Sequence, residues 1–172
     1  VRYRKILVAL DRSPQSEIVF EQALELAKTE EAALMLFHCL PFETQGAGSY
    51  ADVFGRELIN FSVELQKVLD QESEQARQFL RNYCQKAMEQ GVSTEWDLKI
   101  GDAGSRIREL VKAWDADLVI VGRRGHRGLA EIVLGSVSSY VIHQAPCSVL
   151  VVQGISSSLE QTAEAATQAM NP

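Results

Sequence analysis

At 172 residues and 46 % hydrophobic content, the chain has about one domain's length and enough apolar side chains for a sizeable core, which excludes a disordered chain or a disulfide-stapled mini-protein. Seventeen Lys and Arg against 23 Asp and Glu leave a net charge of −6, which argues against a broad nucleic-acid or anionic-membrane surface and makes any positive patch a local one. Cys39, Cys84 and Cys147 form no CxxC pair, and no apolar run approaches the roughly 18 residues of a membrane span, so the expectation is reduced thiols in a soluble, cytoplasmic protein without a metal site.

The run from Tyr3 to Leu10 is almost wholly apolar and predicts a strand covered on both faces, β1. Ser13 and Pro14 fit the N-cap and first position of a helix, α1, whose stripe of Ile18, Phe20, Ala23, Leu24 and Ala27 continues to Lys28. Ala33 to Leu40, stopped by Pro41, predicts β2. Residues 42–57 carry glycine and serine breakers without a period and are expected to form a long loop. Leu58, Phe61, Leu65, Val68, Ala76, Phe79, Tyr83 and Ala87 then recur at threes and fours in a long helix, α2, closed by Gly91. From Val92 to Ile100 apolar and polar residues alternate, which predicts an edge strand, β3, with one face toward water.

Asp102 is placed to cap α3, which carries Ile107, Leu110, Val111 and Trp114, and Asp117 introduces the strand Leu118–Val121, β4. After a glycine-rich loop, residues 136–144 predict α4, ended by Ala145-Pro146, and residues 148–152 predict β5. This alternation implies an α/β fold with a five-stranded parallel sheet and helices on both faces. Residues 1–153 are expected to form one domain, followed by a polar tail over 154–172.

The chemistry is concentrated between Val121 and Val137. Gly122, Gly125 and Gly128 follow β4 directly, and Gly135-Ser136 opens α4. Glycine lets backbone N–H groups turn toward one point and lets a ligand approach without a Cβ in the way. A phosphate at Gly135, Ser136 and Val137 would meet unpaired donors and the positive end of the helix dipole. Arg123, Arg124 and Arg127 supply the local positive patch, and Arg124 is counted among the binding residues. The loop is neither a Walker A motif, since no Gly-Lys-Ser/Thr closes it, nor GxGxxG.

The spacing Gly122-x2-Gly125-x9-Gly135-Ser136 resembles the Gly-x2-Gly-x9-Gly-Ser/Thr signature of the ATP-binding branch of the universal stress protein family. Ile6-Leu-Val-Ala-Leu-Asp11 followed by Ser13, Phe37-His-Cys39, Gly101-Asp102 and Ala145-Pro-Cys-Ser-Val-Leu-Val-Val152 are similar to that family as well. The resemblance implies a doubly wound sheet of order 3-2-1-4-5, a homodimer, and ATP held in a stress response. Carried over residue by residue, it places Asp11 at the ribose, Cys39 and Val121 beside the adenine, and Gly122, Gly125, Gly135, Ser136 and Val137 around the phosphates. In that strand order the switch point falls between β1 and β4, where Asp11 and Gly122 stand. The 42–57 segment is longer than the family pattern, and the tail has no counterpart in it.

Three functions from different classes are weighed. The first is a regulatory module that binds ATP or a related adenine nucleotide with little or no turnover, Mg²⁺ arriving with the nucleotide. The others are a slow ATPase or nucleotide hydrolase, and a dimeric interaction protein without nucleotide. No Walker B acid or orienting pair stands near the loop in sequence, and His126 and Glu131 have no evident partner there, which favours the first. His38 and His143 are read as packed or surface residues, Cys39 as a small apolar neighbour for a ring, and β5, apolar on both faces, as the dimer edge.

Overall fold

The computed structural model describes residues 2–41, 55–123 and 134–153, with the backbone alone over 55–61. Among these the strands are β1 (Lys5–Ala9), β2 (Ala33–Leu40), β3 (Thr94–Ile100), β4 (Leu118–Gly122) and β5 (Ser148–Val152). The helices are α1 (Gln15–Glu30), α2 (Gly55–Glu89), α3 (Ala103–Trp114) and α4 (Ser136–Gln144). The strands form one parallel sheet in the order β3-β2-β1-β4-β5, with β3 and β5 at its edges.

Side-chain parity divides the core. Ile6, Val8 and Leu10 of the first strand segment point with Leu34, Leu36, Leu118 and Ile120 into one cluster under α1 and α2, where Phe20, Leu24 and Leu80 meet them. Leu7, Met35, Phe37, Val119 and Val121 point the other way, onto Ile107 and Val111 of α3 and Val141 of α4. Both faces of β1, β2 and β4 are therefore covered, which is why these strands read as unbroken apolar runs. β3 lies at an edge and its exposed Glu95 and Lys99 are the polar half of its alternation.

Five expectations need correction. β1 is shorter at both ends than Tyr3–Leu10, because side chains take the backbone groups there: the Arg4 N–H goes to the Asp117 carboxylate and the Leu10 carbonyl to His38 Nδ1; β3 starts at Thr94, not Val92. β4 runs one residue further, to Gly122. Ser13 does not cap α1 with its side chain: Pro14 is the flanking residue and makes no side-chain cap bond, while Ser13 donates to Asp11. The helix α2 begins at Gly55, so residues 55–57 are helical and not loop; the remainder of that loop, 42–54, lies outside the described residues, as does the 154–172 tail.

α2 also outruns the sheet it covers. Its 35 residues make a helix of about 52 Å, whereas the strands under it hold 8 and 7 residues, about 25 Å. Ser73, Ala76, Leu80, Cys84 and Ala87 are buried against the sheet, but Leu65 and Val68, assigned from the sequence to the same covered stripe, are 42 % and 51 % exposed. Arg12, between β1 and α1, marks the crossing point: it pairs with Glu72 at 2.8 Å and reaches Gln75 at 2.7 Å. No helix among the described residues is long and apolar enough to cross a membrane.

Candidate functional site

The strand order turns at β1 and β4, whose chains leave in opposite directions along the sheet, so a crevice opens at their carboxyl ends. One cleft lies there. Asp11, Cys39, Val121, Gly122, Gly135, Ser136 and Val137, brought from four separate stretches of sequence, all line it. Arg124 and Gly125, with Gly128, Arg127, His126 and Glu131, lie outside the described residues.

Asp11 leaves β1 and turns the chain into α1. Its Oδ1 accepts the Ser13 N–H at 3.0 Å and the Ser16 hydroxyl at 3.0 Å, and the Ser13 hydroxyl donates to it as well. The Ser16 hydroxyl also bonds the Asp11 carbonyl. The carboxylate thus holds the turn whatever else it contacts, a role the sequence could equally have given to Ser13.

The opposite wall is the start of α4. Gly135 is its N-cap, with φ −60° and ψ 154°, and offers no side chain to the first turn. The earliest bond back to the cap comes from the Ser139 N–H, which donates to Gly135 O at 2.9 Å. The N–H groups of Ser136, Val137 and Ser138 precede it and have no intrahelical acceptor, as at any helix start, so a concentration of donors and positive dipole faces the cleft. Ser136 is exposed, so its hydroxyl can join them, whereas Ser138 is buried and donates its hydroxyl to the Gly122 carbonyl at 2.7 Å.

Gly122 has a packing reason of its own: a Cβ built on it would stand 3.0 Å from Cγ2 of Val19. α1 therefore sits so close to the end of β4 that a larger residue there requires the Val19 side chain to give way by a few tenths of an ångström. The apolar wall comes from Phe37, Cys39, Val121, and Ala103 and Ile107 of α3. The Cys39 thiol donates to the Gly101 carbonyl at 3.4 Å, and burial pushes its pKa up, so the sulfur is a neutral, compact neighbour and not a thiolate. Gly101 takes φ 132°, which only glycine adopts comfortably, and so turns β3 into α3 at the rim; Asp102 then caps α3 by accepting the Ser105 N–H at 2.9 Å.

Sequence reasoning missed Gln15, Ser16, Ala103, Ile107 and Ser138 in this cleft, and set His38 aside. Ser138 had a signal, a second hydroxyl two residues after Ser136 in the first turn of α4. The others carried none, because they reach the cleft through the packing of α1 and α3 across the sheet. A second, more open depression over Arg81, Cys84, Met88 and Trp96 lies at the β3 edge and gathers no comparable set of donors.

A parallel sheet of this order, covered by helices on both faces, defines a doubly wound α/β protein, a class that takes ligands in the crevice at its switch point. Residues 2–153 match the universal stress protein family, and the chain belongs to it. It is 48 % identical over 151 residues to the universal stress protein Sll1388 of Synechocystis, covering 88 % of this chain and 98 % of that protein. The universal stress protein UspA from Lactobacillus plantarum superimposes with a TM-score of 0.70 at 24 % identity, over 88 % of this chain and 99 % of that one. Two further solved structures share the fold with a TM-score of 0.57: a universal stress protein in complex with cAMP, 21 % identical over 89 % of this chain and 98 % of its own, and the Archaeoglobus fulgidus universal stress protein in complex with dAMP, 22 % identical over 88 % and 98 %.

Proposed function

We propose that this chain is a stress-response regulatory module that binds ATP, or a related adenine nucleotide, at the β1/β4 switch point and turns it over slowly or not at all. The observation that carries the reading is the cleft itself, which sets the Asp11 turn opposite the uncapped start of α4. Adenine fits between Cys39 and Val121, where the wall is apolar; the ribose falls beside Asp11; the phosphates lie on the N–H groups of Ser136 and Val137, with Gly122, Gly125, Gly135 and Arg124 around them. The neighbours solved with cAMP and dAMP support an adenine nucleotide as the ligand class.

Micromolar affinity corresponds to about 8 kcal/mol, which base burial, a ribose bond and several charge-assisted phosphate bonds can supply. Fast phosphoryl transfer asks for more: a positioned water and a metal held against the β and γ phosphates. In this reading Mg²⁺ comes and goes with the nucleotide. The module works as a homodimer joined along the β5 edge, in the cytoplasm, and a protein partner reads its occupied state. Residues 1–153 form the binding domain, and the 154–172 tail stands outside it.

Mass spectrometry of the small molecules released on denaturing freshly purified protein tests the ligand, and phosphate release under steady state tests turnover. An adenine nucleotide with phosphate release far below one per second is expected. Release at several per second, abolished by Glu131→Gln or His126→Ala, would make the chain an enzyme instead.

A further inference from the structure

We propose that His38 is a positioning residue of this cleft, its imidazole fixing the direction in which Asp11 leaves β1; the inference rests on the nucleotide reading above. The ladder between β1 and β2 ends at the Ala9–Phe37 pair. Leu10, one residue further, still donates its N–H to Phe37 O at 2.9 Å. Its carbonyl is bound by a side chain: Nδ1 of His38 lies 2.8 Å from Leu10 O. A carbonyl only accepts, so Nδ1 carries the proton. The Leu10 carbonyl and the Asp11 N–H share one rigid peptide plane, and holding the first orients the second and the Cα that follows.

The other ring nitrogen shows what the imidazole is kept for. His38 is 7 % exposed, and Nε2 is buried with no hydrogen-bond partner among the described residues. Its face of β2 is otherwise apolar, with Leu34, Leu36 and Leu40 at the alternate positions, and the edge of Phe79 packs on the ring with centroids 5.9 Å apart. A leucine would fill such a place without leaving a buried polar atom unpaired. The imidazole adds one thing a leucine lacks, the bond to Leu10. Beyond Asp11 the Arg12 bridge to Glu72 and Gln75 anchors the far side of the same turn, so the carboxylate sits between two fixed points.

Two substitutions separate positioning from packing. His38→Leu keeps an apolar filler and loses the donor, whereas His38→Asn keeps an N–H where Nδ1 stands. In the ligand-free protein, His38→Leu should speed hydrogen exchange of the Ser13 amide, which is bonded to Asp11, about tenfold relative to the core amides of β2, and His38→Asn should largely restore it. ATP titrations should show an affinity loss of about five- to tenfold for His38→Leu that shrinks below about twofold in an Asp11→Ala background. An unchanged Ser13 exchange rate, or an equal affinity loss with and without Asp11, would overturn the proposal. If the unsubstituted protein binds no adenine nucleotide, the functional reading falls, and the exchange comparison still decides the role of His38.

Discussion

The Ser138 hydroxyl, in the first turn of α4, donates to the Gly122 carbonyl at the last position of β4, 2.7 Å away. Strand end and helix start are thereby joined across the segment that separates them in sequence, and the first N–H groups of α4 are held at a fixed height above the switch point. Ser138→Ala removes this link and little volume. It should lower stability by about 1 kcal/mol, read from urea unfolding, and weaken ATP binding several-fold by calorimetry. Ser139→Ala, one residue on, should leave binding unchanged.

At the opposite edge of the sheet from β3, β5 pairs only with β4 among the described strands. Val149 and Val151 pack inward on the α3–α4 side, while Leu150 is 37 % exposed. Leu150→Lys therefore alters the outer surface of the edge without emptying the core. With a homodimer built on β5, light scattering should show a dimer at micromolar concentration that shifts toward monomer in Leu150→Lys; a clean monomer before substitution would remove the β5 dimer.

The first turns of α2 give a contrast within one helix. Leu65→Gln and Val68→Gln alter side chains that face solvent and should change stability by no more than about 0.5 kcal/mol. Leu80→Ala, at a fully buried position on the same helix, should cost about 2–5 kcal/mol. Chemical unfolding of the three variants checks both halves.

Protonation of His38 links stability to pH. Burial, acting first, pushes its pKa below the ordinary 6.5, the bond to Leu10 and the charge of Asp11 oppose this, and Arg12 adds to it. Because the folded pKa is the lower one, the contribution is complete above pH 6.5; as pH falls below that value the unfolded chain takes up the proton first and stability drops until the folded pKa is passed. The melting temperature should therefore fall as pH drops below 6.5, and His38→Asn should flatten that part of the profile. Glu17, held low chiefly by the Tyr83 hydroxyl and then by Lys86, and Asp102, held low by Ser105, lose their contributions at lower pH, starting from 4.5 and 3.8.

Much of the architecture was legible where chain chemistry punctuates it. Pro41 and the Ala145-Pro146 pair gave β2, α4 and β5 their observed bounds, and the alternation of β3 announced its place at an edge. The start of α2 at Gly55 was not legible, because a glycine reads as a breaker and the apolar recurrence begins only at Leu58. In the cleft, glycine spacing and the ends of the strands pointed to residues that the fold does bring together. His38 escaped because its partner, the Leu10 carbonyl, is 28 residues away and leaves no mark in a side-chain pattern; Ser138, bonded to a carbonyl 16 residues away, had as its one signal the place two residues after Ser136.

The most direct test of the nucleotide reading is calorimetric titration of ATP into the protein and into Ser136→Pro. Proline suits the first position of a helix, and Gly135 already holds the extended angles that precede a proline, so α4 should form with an unchanged melting temperature while one phosphate-facing N–H is gone. The account predicts micromolar binding, weakened at least about tenfold in Ser136→Pro and by less in Ser136→Ala, which removes the hydroxyl alone. No heat of binding with ATP, ADP or AMP, or a Ser136→Pro variant that binds as tightly as the unsubstituted chain, would contradict it.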